Sequence, residues 1–183
     1  MTTHAVPRPS ERDVVAATAR FLEGRGYRTR IDPDGTNYFD LVARRGDEVG
    51  LVEAKVADSR AVFTQALVRR AWGDWVAVVV ASRRAAEALV TRSRGSRSVP
   101  VGVWWCDGGA VEVLREARSW TTAGAEDPFA PLRARFRGVL DALDRGDLPQ
   151  GIAWSGVPRT VRRASGGRSF REWRLDEPVE REP

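Results

Sequence analysis

Val49-Gly50-Leu51-Val52-Glu53-Ala54-Lys55-Val56 is the stretch on which the reading of this chain turns. Side chains alternate along a strand, so Val49, Leu51, Glu53 and Lys55 point one way and Gly50, Val52, Ala54 and Val56 the other. Both faces are largely apolar, which predicts an inner strand over 49–56. Two charges then sit near the end of that strand, where a carboxylate without a partner is costly. Upstream, Tyr38-Phe39-Asp40-Leu41-Val42-Ala43 repeats the pattern, a second strand over 38–43 with an acid inside an apolar run. Arg45-Gly46-Asp47-Glu48 between them reads as a hairpin turn. An antiparallel hairpin brings Asp40 close to Glu53.

Lys55 is the chain's single lysine; the other 29 of its 30 basic residues are arginine. Lys carries a compact ammonium that can approach one oxygen, whereas the Arg fork is larger and stays charged. A basic position held as Lys against so strong an arginine bias marks a place where Arg does not serve.

Working outward, Ser10 caps a helix ending near residue 22, with Val14, Ala17 and Phe21 at helical spacing and Gly24 and Gly26 beyond its end. A strand over 27–31 and the turn Asp32-Pro33-Asp34-Gly35 lead into the hairpin. Ser59 opens a second helix running to Trp72, with Gly73 as its stop. The run 75–81 is apolar on both faces and reads as a buried central strand, parallel to the strand over 49–56 through a right-handed crossover. A helix over 82–94 and a strand pair, 101–106 and 110–114, follow. After Ser119 the texture changes: a linker over 121–131, a helix over 131–144, then a tail rich in Gly, Pro and Arg. The expected organisation is a tail over 1–9, a core over 10–119 and a C-terminal extension over 120–183.

A chain of 183 residues with 42% hydrophobic and 30% charged residues fits a globular domain with a substantial core. The net charge of +5 makes a polyanion a plausible partner. With one Cys, Cys106, and one His, His4, an internal disulfide and a Cys/His zinc site are excluded. Cys106 is expected as a packed core thiol. The first residues are polar and contain Pro, unlike a signal peptide, and no apolar run approaches the roughly 20 residues a membrane helix needs. A cytoplasmic protein that does not contact membranes is the expectation.

Two carboxylates converging beside an ammonium are either a partly buried ion-pair cluster or a divalent-cation site. Two hard oxygen donors suit Mg²⁺, and a lysine beside them suits the positioning of a water at a phosphate. Asp40, twelve residues, then Glu53-Ala54-Lys55, between helix-strand before and helix-strand after, resembles the PD-(D/E)XK nuclease superfamily. The likeness spans roughly residues 10–117. Within it, Val52–Lys55 through Phe63-Thr64-Gln65-Ala66 to Trp75-Val76-Ala77-Val78 is similar to a group of mostly uncharacterised prokaryotic members.

The resemblance implies an α/β restriction-endonuclease-like αβββαβ core, a mixed central sheet flanked by helices, with a C-terminal appendage. It implies Mg²⁺-dependent hydrolysis of DNA, with Mn²⁺ able to substitute, and Asp40, Glu53, Lys55 and Gln65 as the catalytic set. Asp40, Glu53 and the carbonyl of Ala54 would hold the ion. RNA as substrate and a homodimer are left open. Two departures stand out. Phe39 occupies the place of the usual Pro before the first acid. Of the first-helix acids that relatives often use, Glu11, Asp13 and Glu23 are available here, and all three read as solvated helix-end residues.

Basic residues extend the expectation. Arg69 and Arg70 on the helix after Lys55 are candidates for nucleic-acid contact. So are Arg159, Arg162, Arg163, Arg168, Arg171 and Arg174 in the tail, where Phe170 and Trp173 interleave. A catalytically silent nucleic-acid-binding module on the same fold is the alternative.

Overall fold

The computed structural model describes residues 9–31, 39–56, 59–94, 101–119 and 127–146. The tail arginines from 159 to 174 lie outside the described residues.

The first helix, α1 (Glu11–Glu23), starts where the sequence predicts. Ser10 accepts the Asp13 N–H while the Asp13 carboxylate takes the Ser10 N–H, a reciprocal capping box. Strands β1 (Arg28–Ile31), β2 (Leu41–Arg45) and β3 (Glu48–Lys55) follow, then α2 (Ser59–Arg69), β4 (Trp75–Val80), α3 (Arg83–Arg94), β5 (Gly102–Cys106), β6 (Val111–Arg115) and α4 (Ala130–Arg145). The six strands form one sheet in sequence order. Pairs β1–β2, β2–β3 and β5–β6 are antiparallel, and β3–β4 and β4–β5 are parallel. The chain is therefore an α/β protein with a mixed sheet.

Strand β2 begins three residues later than its sequence reading, at Leu41, and runs two residues closer to the turn. Its two-residue loop, Gly46-Asp47, holds Gly46 at φ +59, the left-handed region that glycine enters without steric cost. All six residues of β4 are buried, as its unbroken apolar run requires.

The two sheet faces carry different layers. α1 packs its Val14, Ala17 and Leu22 against Leu41, Val52, Ala54, Ala77 and Val79. On the other face α2, α3 and α4 cover Val42, Val49, Leu51, Val76 and Val78. The Trp75 ring lies against Gly50 so closely that an added Cβ would stand 1.9 Å from it, so a side chain at 50 is incompatible with this packing.

α4 is not an outlying appendage. Phe136, Leu140 and Leu143 belong to the same core as Phe39 and Trp72, and a boundary at residue 119 does not separate two cores. Cys106 is a buried thiol, as expected. Among the described residues no helix is long and apolar enough to cross a membrane.

Candidate active site

The hairpin register builds the site. Leu41 pairs with Val52, Val42 with Leu51 and Arg45 with Glu48. Continued one step beyond its last pair, Leu41 with Val52, that register sets Asp40 opposite Glu53. Directly opposed residues share a sheet face, so the expected convergence follows from pairing alone. Asp40 is anchored there: its Oδ2 accepts the backbone N–H of Ala54 at 2.8 Å.

Glu53 is 1% exposed. Its Oε2 lies 2.6 Å from Arg69 Nη1. Its Oε1 is buried and has no hydrogen-bond partner among the described residues. The Glu53 and Asp40 side chains are within hydrogen-bonding contact, a stable arrangement for two carboxyls only if a proton or a cation lies between them.

Burial pushes the Glu53 carboxyl up to about 9; Asp40 adds to the rise, and Arg69 and Lys55 oppose it. Burial also raises Asp40, with Glu11 adding to it, while the Ala54 N–H, Lys55 and Arg69 pull the other way. The Arg69 contact favours an ionised Glu53, but desolvation of a nearly enclosed carboxylate outweighs it. Without a cation, burial therefore favours a proton on the pair, and its titration belongs to both groups.

Lys55 closes β3 and is partly exposed. Its Nζ lies 2.8 Å from Glu11 Oε1. Burial alone would lower the ammonium, but the bond to Glu11 and the charges of Asp40, Glu11 and Glu53 prevail and its pKa is raised. Lys55 thus stays charged at neutral pH and acts as a hydrogen-bond donor, not as a base.

Glu11 corrects the sequence reading of the first-helix acids. Asp13 completes the capping box of Ser10 and Glu23 accepts from Thr29, so both serve local structure. Glu11, read as a solvated helix-end acid, reaches across to the lysine instead. Its signal in the sequence was no more than an acid in a first turn, because its partner lies 44 residues away.

Arg69 is the second correction. Expected at a nucleic-acid surface, it is 7% exposed and turned inward onto Glu53. A signal was present: Val62, Ala66 and Arg69 follow the i, i+4, i+7 stripe of a buried helix face. Arg70 is half-buried, with its guanidinium 5.7 Å from the Phe129 ring centre. Gln65 lies on α2, half-buried, and its Oε1 finds no hydrogen-bond partner among the described residues.

Among the described residues no three His, Cys, Asp or Glu side chains converge as a ready metal cage. The site offers two carboxylates in contact, one of them with a buried oxygen left over. Hard oxygen donors of this kind fit a hard divalent cation that keeps several of its own waters. Compared with protein-family models, with curated proteins and with solved structures, the chain matches none.

Proposed function

We propose that this protein is a Mg²⁺-dependent nuclease that hydrolyses phosphodiester bonds in DNA, built on a restriction-endonuclease-like core. The observation that carries the proposal is the contact of the Asp40 carboxyl with Glu53 at the end of β3 that bears Lys55, with Glu53 Oε1 buried and unpartnered among the described residues. A buried polar atom left without a partner calls for an explanation, and a cation between the two carboxyls supplies one.

In this reading Asp40, Glu53 and the Ala54 carbonyl hold the ion, and Mn²⁺ serves in its place. The cation, when bound, polarises the phosphate and lowers the pKa of a coordinated water. Lys55, as a charged donor, orients the attacking water and offsets the negative charge that grows on the phosphoryl oxygens. Glu11 holds the Lys55 ammonium at the site before substrate arrives. Gln65 offers its amide to the water or to Lys55.

The second reading is a catalytically silent nucleic-acid-binding module. It is favoured by one observation: Lys55 and Glu53 already have counter-ions, Glu11 and Arg69, so the cluster is largely balanced as it stands. The purified protein incubated with linear, nicked, branched and single-stranded DNA separates the two. Cleavage with Mg²⁺ or Mn²⁺ that stops in EDTA supports the nuclease. Binding without cleavage on every substrate supports the silent module.

A further inference from the structure

The two oxygens of Glu53 are held differently. Oε2 lies 2.6 Å from Arg69 Nη1, Oε1 is buried without a partner among the described residues, and the Asp40 carboxyl contacts the same side chain. Arg69 is well placed to be rigid. It extends from the last residue of α2, is 7% exposed, and has its guanidinium carbon 5.8 Å from the centre of the buried Phe39 ring. A guanidinium held on one side by packing restricts the torsions of the carboxylate it grips. Groups behind a metal ligand commonly set that ligand's orientation in this way.

We infer that Arg69 is a positioning residue for a divalent cation at the Asp40/Glu53 pair, gripping Oε2 so that Oε1 is presented to the ion. The inference rests on the cation site proposed above and adds to it a residue whose letter suggested a surface contact. The same contact has a rival explanation, in which the guanidinium stands in for the missing cation and has to leave when the ion arrives. The two roles predict opposite signs. A positioning residue strengthens cation binding, whereas a stand-in weakens it.

Mn²⁺ binding to the full chain, read from the loss of the free-ion electron paramagnetic resonance signal without nucleic acid, decides between them. Wild type, Asp40→Asn, Arg69→Met and Arg69→Lys are compared, with circular dichroism checking the fold of each. Asp40→Asn is expected to abolish binding. Arg69→Met is expected to weaken it roughly 10–100-fold, the usual cost of removing a group behind a ligand. Arg69→Lys, which still brings a donor to Oε2 but lacks the fork, should fall between Met and wild type.

Equal or tighter binding by Arg69→Met overturns the inference and makes the guanidinium a competitor of the ion. Should Arg69→Met fail to fold, Arg69→Lys decides alone, and affinity at or above wild type overturns it. If wild type binds no Mn²⁺, or Asp40→Asn binds as well as wild type, the cation site itself is lost and the inference with it.

Discussion

Two buried acids mark the two ends of β3, and the protein treats them differently. Asp74, just before β4, has both oxygens occupied: Oδ2 accepts the Val49 N–H at 2.8 Å, and Oδ1 meets Arg137 Nη2 at 2.6 Å with Arg133 Nε 4.0 Å away. Glu53, near the other end of the same strand, has one arginine, one oxygen unpartnered among the described residues and a second carboxyl in contact with it. A carboxylate kept for structure is satisfied as Asp74 is, because an unsatisfied one costs stability. A carboxylate left wanting, beside another of its kind, is where chemistry is expected. The contrast assigns Asp74 to the fold and is the ground for proposing Glu53 as a site residue.

The sharpest test of that division lies at Lys55. Lys55→Arg keeps the charge but replaces a compact donor with a wide fork. Its single-turnover cleavage of DNA should fall on the order of 100-fold or more, the scale of losing a placed donor in an active site. Circular dichroism and DNA binding should stay near wild type. Near wild-type cleavage would reduce Lys55 to an ion-pair partner of Glu11.

The stability of the two acids should then diverge under substitution. Asp74→Ala leaves Arg133, Arg137 and the Val49 N–H short of an acceptor, and should cost about 3 kcal/mol in urea unfolding. Glu53→Gln keeps an acceptor for Arg69 and removes a poorly solvated charge. Its stability should match or exceed wild type while Mn²⁺ binding disappears. A large loss of stability in Glu53→Gln would erase the distinction.

A gentler probe is pH. In the cation-free protein burial pushes the Glu53 carboxyl up from 4.5 to about 9, in a titration it shares with Asp40. A carboxyl with a raised folded pKa binds its proton more tightly when folded. Its contribution to stability is therefore complete below about pH 4.5 and is lost as pH climbs toward about 9. Thermal unfolding in EDTA should move to lower temperature across that window, and Glu53→Gln should flatten the trend. Added Mn²⁺ should raise the Tm most at the alkaline end, where no proton competes for the pair. A wild-type Tm in EDTA that holds steady or rises across the window would refute the assignment.

The smallest effect belongs to Glu11→Gln. Its pairing with Lys55 is partly exposed, and such pairs contribute about 0.5 kcal/mol. The change should barely shift unfolding, yet leave the Lys55 ammonium less confined and slow cleavage more than it affects stability. Equal, negligible effects on both would return Glu11 to the role of a helix-end acid.

Much of this was legible in the sequence because it was local or periodic. Ser10 and Asp13 announce the start of α1. The unbroken run at 75–80 announces a strand buried on both faces. The acids at 40 and 53, read through a tight turn, announce their meeting. What escaped depended on partners distant in the chain. Glu11 looks solvated until α1 is docked across the sheet. Arg69 looks like a surface base until the stripe through Val62 and Ala66 is followed to its end, and Arg133 is similarly buried on the α4 stripe with Phe136 and Leu140. A long cationic side chain on an apolar stripe is ambiguous in sequence, since it can bury its stem and keep its head in water. A buried acid opposite resolves the choice, and only the fold shows where that acid is.

The loop at Gly46-Asp47 has a reach that its size conceals. Its closing pair, Arg45 with Glu48, lies five register steps from Asp40 and Glu53, about 17 Å along the strands at ~3.4 Å per residue. No side chain of the loop needs to touch the site to govern it. Because strand faces alternate, lengthening this turn by one residue and slipping the pairing accordingly would carry Asp40 to the α1 side of the sheet and leave Glu53 facing α2 alone. The hairpin is a ruler with a single usable mark: an insertion there would part the two acids while leaving both of them in the sequence.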